Sequence, residues 1–366
     1  MSIQTLIVNQ FRNLSSNHIE FSDKLNLIVG DNGSGKSSLL ESIFFLGHGK
    51  SFRTTKIENL IEQQQDQFVV SARDDQNHRL GVQRTRQGDF LIKINGDSKF
   101  RLSDLAKHVA VQVITPETFR LFFGGPKERR KFIDLGLFHV EQSFVTVWRD
   151  FKKILLQRNA CLKQRISGQQ LAYYNQVFCQ HSELIARVRE QYIAKLSDEL
   201  NRWLATIMPQ LADNISLQYQ RGWPAKRDLA EVLAENELRE LKYGYSLFGA
   251  HKFDVQFSYK KMAIEQVLSR GQQKLFLMAL TIAQANLIYN SQHIAPIILI
   301  DDIGAELDSQ SRAVLAKAIS ELTCQLFITA IDKNALEAML PEQENYKMFH
   351  VKHGVIKEIT QGEEHE

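Results

Sequence analysis

The chain is short of cysteine, of long apolar runs, of surplus charge and of repeats, and each shortage removes a class of protein. Its three cysteines, Cys161, Cys179 and Cys324, show neither metal spacing nor a disulfide framework. No segment approaches the ~18 to 20 apolar residues that cross a bilayer, so a membrane role would need a separate subunit. Met1-Ser2-Ile3-Gln4 lacks the basic, apolar and small-residue order of an export signal, and a cytoplasmic protein is expected. A formal net charge of +3 does not by itself argue for nucleic acid, which is held by local basic faces rather than totals. Repeats and low-complexity tracts are absent, and only Gln361 to Glu366 reads as a frayed tail. What remains is ordinary globular composition, 43% hydrophobic and 24% charged, in 366 residues that can bury a large core and form two domains.

Against that background one stretch carries chemistry. Gly30-Asp31-Asn32-Gly33-Ser34-Gly35-Lys36-Ser37 matches the pattern GxxxxGK[ST]. The apolar run Leu25 to Val29 precedes it, and helix-spaced apolar residues from Ser38 to Phe45 follow. Strand, glycine loop and helix in that order turn successive amide N–H groups toward one anion at the positive end of a helix. Lys36 is expected to neutralise the outer phosphates of a nucleoside triphosphate. Ser37 is expected to place its hydroxyl on a bridging magnesium ion, with Ser38 beginning the helix behind it.

The first hundred residues read as mixed sheet around that helix, with strand-like runs at Phe68 to Ala72, Arg79 to Arg84 and Phe90 to Ile94. From Lys127 to about Ile207 the apolar spacing turns helical, through Phe144, Trp148, Phe151, Phe178, Leu196 and Trp203, with a break near Ser167-Gly168. Two helices of roughly 25 to 35 residues are expected, as either a short arm or a lobe, and the aromatic content favours the lobe. Lys127, Arg129, Arg130 and Lys131, then Arg149, Lys152, Lys153, Arg158, Lys163 and Arg165, make either a nucleic-acid face or a solvated helix face. A strand at Phe253 to Tyr259 and a helix from near Ser269 to Tyr289 follow.

Ile297-Ile298-Leu299-Ile300-Asp301-Asp302 is a buried parallel strand ending in two carboxylates. Asp301 fits a magnesium-holding acid, and Asp302 a base that orients or deprotonates an attacking water. The two halves of one site thus come from opposite ends of the chain. The expected fold is α/β: one domain built from residues 1–125 and 250–366, and an inserted mainly helical lobe at 126–249. Leu268-Ser269-Arg270-Gly271-Gln272 opens a helix and offers a second set of anion-binding amides. Since Gly30 to Ser37 already hold the nucleotide, Ser269, Gly271 and Gln272 would serve one bound to a second chain.

These pieces, in this order, resemble the ATP-binding-cassette class. Gln112 stands where its glutamine loop would be, implying a catalytic and magnesium role beside Lys36, Ser37 and Asp302, and Glu306-Leu307-Asp308 is similar to its D-loop. The match narrows at Phe11-Arg12-Asn13, Gly47 to Arg53, Ile114 to Glu117, Gly124-Gly125-Pro126 through Asp134, Gln157-Arg158-Asn159 and His251-Lys252, which together resemble the bacterial RecF family over nearly the whole length. The resemblance implies an ABC-type ATPase head that binds ATP and Mg2+, dimerises on ATP and binds DNA. It further implies work with RecO and RecR in recombinase loading at gapped DNA, in replication and in SOS induction. Arg12 would touch the nucleotide and Arg53 either nucleotide or DNA, a salt-bridged surface role being the other reading of these two, with Lys127, Arg129 and Arg130 as further DNA contacts or part of a solvated helix face. Asp302 in place of the class's usual Glu implies slow hydrolysis. Thr329, where many cassette proteins keep a switch histidine, leaves the γ-phosphate sensor open. The competing reading is the ATPase subunit of a membrane transporter.

Overall fold

A computed structural model describes residues 2–302, 309–334, 336 and 346–359. It divides into two compact units, Met1–Phe119 with Arg270–Glu366, and Arg120–Ser269. The first begins with β1 (Ile3–Phe11), β2 (Leu14–Glu20), β3 (Leu25–Val29), α1 (Lys36–His48), β4 (Gln67–Asp74), β5 (Arg79–Thr85), β6 (Phe90–Ile94), α2 (Leu102–Ala106) and β7 (Val111–Ile114). After α3 (Pro116–Gly124) come α4 (Pro126–Val140), α5 (Phe144–Lys163), α6 (Gln169–Ile207), β8 (Ile215–Gln220), α7 (Leu229–Tyr243), β9 (Asp254–Tyr259), β10 (Met262–Ala263) and α8 (Ile264–Val267). The first unit is completed by α9 (Arg270–Gln292), β11 (Ile297–Ile300), α10 (Ser309–Ser320), β12 (Gln325–Ala330), β13 (Tyr346–Lys352) and β14 (Val355–Glu358).

Two sheets make the first unit. One is antiparallel, in the order β2-β1-β4-β5-β6, and the other is β14-β13-β3-β12-β11-β7. In the second sheet only the edge strand β14 runs antiparallel to its neighbour. Every residue of β3, β11 and β12 is buried, as continuous aliphatic runs in a parallel sheet require. Helix α1 contacts strands of both sheets, which explains why its apolar residues Leu39, Leu40, Ile43, Phe45 and Leu46 are all buried. Phe68 meets Phe11 and Phe45 edge-on at 4.9 and 5.0 Å, and this aromatic trio welds helix to antiparallel sheet. Gly47 lets α1 approach β7, because a Cβ there would lie 2.6 Å from Val111 Cγ2. The buried Gln325 carboxamide joins the two sheets: its Oε1 accepts the Ile3 amide and its Nε2 donates to the Ile3 carbonyl, both at 2.8 Å.

The second unit differs from expectation in three respects. The two expected helices become α5 of 20 and α6 of 39 residues, preceded by α4. The boundary expected at residue 250 falls at Ser269, because β9 pairs with β8 and β10 with β9 in a three-stranded sheet inside this unit. Arg158, read with the basic helix face, is instead buried. Its Nη2 donates to Glu240 Oε2 at 2.6 Å, its Nη1 to Ser246 Oγ at 2.6 Å and its Nε to Asn175 Oδ1 at 2.8 Å. Glu240 Oε1 accepts the Leu247 amide at 2.7 Å, and Asn159 Oδ1 accepts from both the amide and the hydroxyl of Ser246. One guanidinium thereby ties α5, α6 and α7 together. Removing one partner leaves a buried charge alone, whereas removing both does not. Glu240→Ala should cost about 3 to 5 kcal/mol in chemical denaturation, and Arg158→Met with Glu240→Leu should recover most of that.

Two histidines set a pH dependence. Burial lowers the pKa of His48 to about 4 although its ring bonds the Val111 carbonyl, and burial likewise lowers His251 to about 4 beside the Ser246 carbonyl. Both are neutral in the folded chain above that pH, while the unfolded chain takes up protons below about 6.5. The stability that the two neutral rings contribute is therefore fully present above pH 6.5 and is lost as pH falls toward 4. Each ring contributes at most about 3 kcal/mol, reduced by the solvent that reaches part of it. Melting temperature should fall across this window, and substitution of both histidines by Gln should flatten the profile.

Candidate nucleotide site

Strand β3 delivers the chain into the glycine loop, where Gly30, Gly33 and Gly35 adopt φ of 152°, 80° and 124°. Side chains rarely adopt such values, and a Cβ on Gly30 would strike the Val351 carbonyl. The loop is braced from two hairpin turns far apart in sequence. Asn13, between β1 and β2, donates from Nδ2 to the Gly33 carbonyl at 3.3 Å and accepts the Ser38 hydroxyl at 2.7 Å. Gly354, between β13 and β14, donates its amide to the Ser34 carbonyl at 2.8 Å. Lys36 Nζ bonds the carbonyls of Gly30 and Asp31 at 2.6 and 2.9 Å. Burial lowers its pKa, and the carboxylates of Asp302, Asp301 and Asp31 oppose that shift.

The parallel order β3-β12-β11 brings three chain segments to one sheet edge. Ser37 follows β3, Thr329 lies near the end of β12, and Asp301 follows β11. Ser37 Oγ donates to Asp301 Oδ1 at 3.0 Å, and Thr329 Oγ1 donates to the same oxygen at 2.8 Å. Thr329 Oγ1 also accepts the Asp302 amide at 2.8 Å. Asp302 sits in the left-handed region at φ 56°, and its buried Oδ1 has no hydrogen-bond partner among the described residues. A hydroxyl, a strand-end carboxylate and a spare buried carboxylate oxygen suit a small hard cation that keeps water and phosphate ligands. Ser37 and Asp301 would hold it. Among the described residues no cluster of three His, Cys, Asp or Glu side chains offers another metal site.

A cavity of about 430 Å³ gathers these groups, lined by Arg12, Asn13, Asn32, Gly33, Gly35, Lys36, Ser37, Ser38, Arg53, Asp301 and Asp302. That volume is in the range of small-molecule sites. Arg12, Arg53 and the two aspartates of the sequence reading therefore reach the phosphate loop. Gln112 does not. In β7 it stands opposite Ile298, two residues short of the strand end, and its Nε2 donates to Gln284 Oε1 at 2.9 Å inside the core. The register places it outside the cavity lining, apart from Ser37 and Asp301 with which a magnesium role was expected. Exposed Ser269 directly precedes α9; Gly271 and Gln272 lie in its first turn and are not among the residues lining the cavity. Glu306-Leu307-Asp308 lies outside the described residues. The expected DNA contacts also change. Arg129 forms a fork with Asp254 at 2.9 and 2.8 Å, and Arg130 Nη1 bonds the Phe253 carbonyl at 3.0 Å, so both are committed within the second unit while Lys127 stays exposed. Thr329, left open as a sensor, is a fully buried brace of the two acids. Asn13 and Gly354 were not identified as site residues, since neither lies near the loop in sequence.

A phosphate loop, two strand-end acids and a parallel sheet drawn from both ends of the chain define an ATPase head of the ABC and SMC kind. The family profile for the RecF/RecN/SMC N terminal domain matches residues 2–357. The DNA replication and repair protein RecF of Colwellia psychrerythraea is 51% identical, the match covering 98% of each chain. That of Shewanella woodyi is 39% identical, again with 98% of each chain covered. The chain belongs to the RecF family. Its fold matches the solved structure of the recombination mediator protein RecF-ATP in the RecFOR pathway, with TM-score 0.84 and 23% identity over 98% of each chain. It also matches an Smc head bound to the C-winged helix domain of ScpA, with TM-score 0.60 and 18% identity over 98% of this chain and 97% of that one. None of these relatives is a transporter subunit, and among the described residues no helix is long and apolar enough to cross a membrane.

The Thr329 brace predicts a separation of binding from chemistry. Thr329→Val should lower the ATP hydrolysis rate ten- to a hundred-fold, the size of effect expected if the carboxylate it orients were to hold the metal. Nucleotide affinity should change less than three-fold, measured by steady-state hydrolysis and by titration with a non-hydrolysable analogue.

Proposed function

We propose that this chain is an ATP-dependent DNA-binding protein of recombinational repair and replication, whose nucleotide controls dimerisation. One observation carries the reading: Ser37 of the phosphate loop and Asp301 from the other end of the chain share a hydrogen bond at 3.0 Å, within a cavity also lined by Lys36 and Asp302. The loop amides and Lys36 bind the triphosphate, and Arg12 and Arg53 add positive charge at the rim. Magnesium, when bound, offsets charge that builds on the phosphates during transfer. Asp302, whose free oxygen is buried, orients the attacking water and accepts its proton. Its short side chain supports slow hydrolysis, as expected of a switch rather than a motor.

Ser269, just before α9, and Gly271 and Gln272, in its first turn, lie outside the cavity lining, which supports their use on the nucleotide of a second chain. ATP then bridges two chains, the closed dimer grips DNA, and hydrolysis releases it. DNA stimulates the ATPase by favouring the closed dimer. Lys127, exposed in the first turn of α4, supplies phosphate contacts together with other surface lysines and arginines, so DNA affinity falls steeply with salt. RecO and RecR are the expected partners in loading recombinase at gaps, with SOS induction downstream, on chromosomal DNA in the cytoplasm.

Sedimentation with ATP and DNA tests this directly. Asp302→Asn should accumulate as an ATP-bound dimer on DNA, Lys36→Arg should stay monomeric, and the wild-type chain should dimerise transiently. Three identical profiles would sink the proposal.

A further inference from the structure

The nucleotide cavity contains two arginines, and both converge on one carboxylate that does not line it. Glu41 lies on α1 one turn beyond Ser37, on the same helix face, and is fully buried. Arg12 grips it with a side-on fork: Nη2 donates to Oε1 at 2.8 Å and Nε donates to Oε2. The Ser51 hydroxyl also donates to Oε1, and Arg53 Nη1 stands 3.8 Å from Oε2. Ser51 Oγ in turn accepts the amides of Arg53 and Thr54 at 2.8 and 2.9 Å, so the segment after α1 is tied to the same carboxylate. Arg12 itself occupies the turn between β1 and β2, with a left-handed φ of 53°.

We propose that Glu41 is a positioning residue that fixes Arg12 and Arg53 as a pair against the phosphates of the bound nucleotide, a role that rests on the nucleotide reading above. The physical reason is electrostatic and entropic. Two guanidiniums close together repel each other, and each is a long side chain with many rotamers. One buried carboxylate between them removes the repulsion and fixes both, while leaving a net positive charge on that side of the cavity. The fork uses Nε and Nη2 of Arg12, so Nη1 is the nitrogen left for a phosphate oxygen. Arg53 approaches the carboxylate with a single nitrogen and keeps the rest of its fork for the ligand. Because Glu41 rides on the helix that opens at Lys36, both arginines are held in register with the phosphate loop.

The test is a double-mutant cycle on the full chain, reading the dissociation constant for a fluorescent ATP analogue with Mg2+, and thermal melting alongside. Glu41→Gln keeps the volume and removes the charge. It should weaken binding ten-fold or more in the wild-type background, yet less than two-fold when Arg12→Ala and Arg53→Ala are already present. Glu41→Asp should fall between wild type and Glu41→Gln. An equal loss in both backgrounds means that Glu41 acts through the fold alone and overturns the proposal, as does no loss in either. If Glu41→Gln does not fold, Ser51→Ala takes its place: it should weaken binding at least three-fold with Arg53 present and not at all with Arg53→Ala, and an unchanged constant overturns the proposal. A wild-type chain that binds no ATP analogue overturns the nucleotide reading and this role together. Wild-type binding that Lys36→Ala abolishes and Glu41→Gln leaves intact overturns this role alone.

Discussion

The Asp301 carboxylate is the point on which the first unit closes. Its Oδ1 accepts two hydroxyl bonds, from Ser37 at the start of α1 and from Thr329 at the end of β12. These three residues belong to segments that meet only because β12 lies between β3 and β11 in a parallel sheet. Hydrogen bonds to a charged group are stronger than neutral ones, and Asp301, half-buried at the cavity wall, takes both of these bonds on one oxygen. The same contact that assembles the sheet edge therefore sets the spacing between phosphate loop and acid. Fold and site are one construction here, and a change that slips the strand register would dismantle both.

The second unit uses buried charge differently. Arg158 with Glu240 and Arg189 with Asp134 are ion pairs inside a helical core, each with further bonds to amide, hydroxyl or carbonyl groups. Arg189 also packs its guanidinium 3.6 Å from the Phe253 ring centroid and 5.2 Å from that of Trp148. Such groups stabilise little against an apolar core of equal volume, and their bonds link α5 to α6 and α7 through Arg158 and α6 to α4 through Arg189.

Much of the site was legible from residues alone, and the reason is local. The phosphate loop is a contiguous device whose glycines, lysine and serine act within a few residues of one another. An aliphatic run ending in two aspartates is similarly self-contained. Gln112 shows where such reading fails: its role depended on how far along β7 it sits relative to β11, and register is set by pairing between strands that no local pattern reports. The basic residues fail for a related reason. Arg129, Arg130 and Arg158 look like their solvated neighbours in sequence, and only the positions of Asp254, Phe253 and Glu240, more than eighty residues away, decide that they turn inward.

The sequence by itself determined that a triphosphate loop and a pair of acids exist, that they lie at opposite ends of the chain, and that a helical insertion separates them. Tertiary structure decided the rest: that Thr329 braces the acids, that Asn13 and Gly354 hold the loop, that Glu41 gathers two arginines, and that the insertion carries its own small sheet. The division follows from range. Chemistry carried by neighbouring residues is written in their order, whereas a hydrogen bond between separate segments, whether tens or hundreds of residues apart, depends on strand order and register, which arise only when the whole core packs.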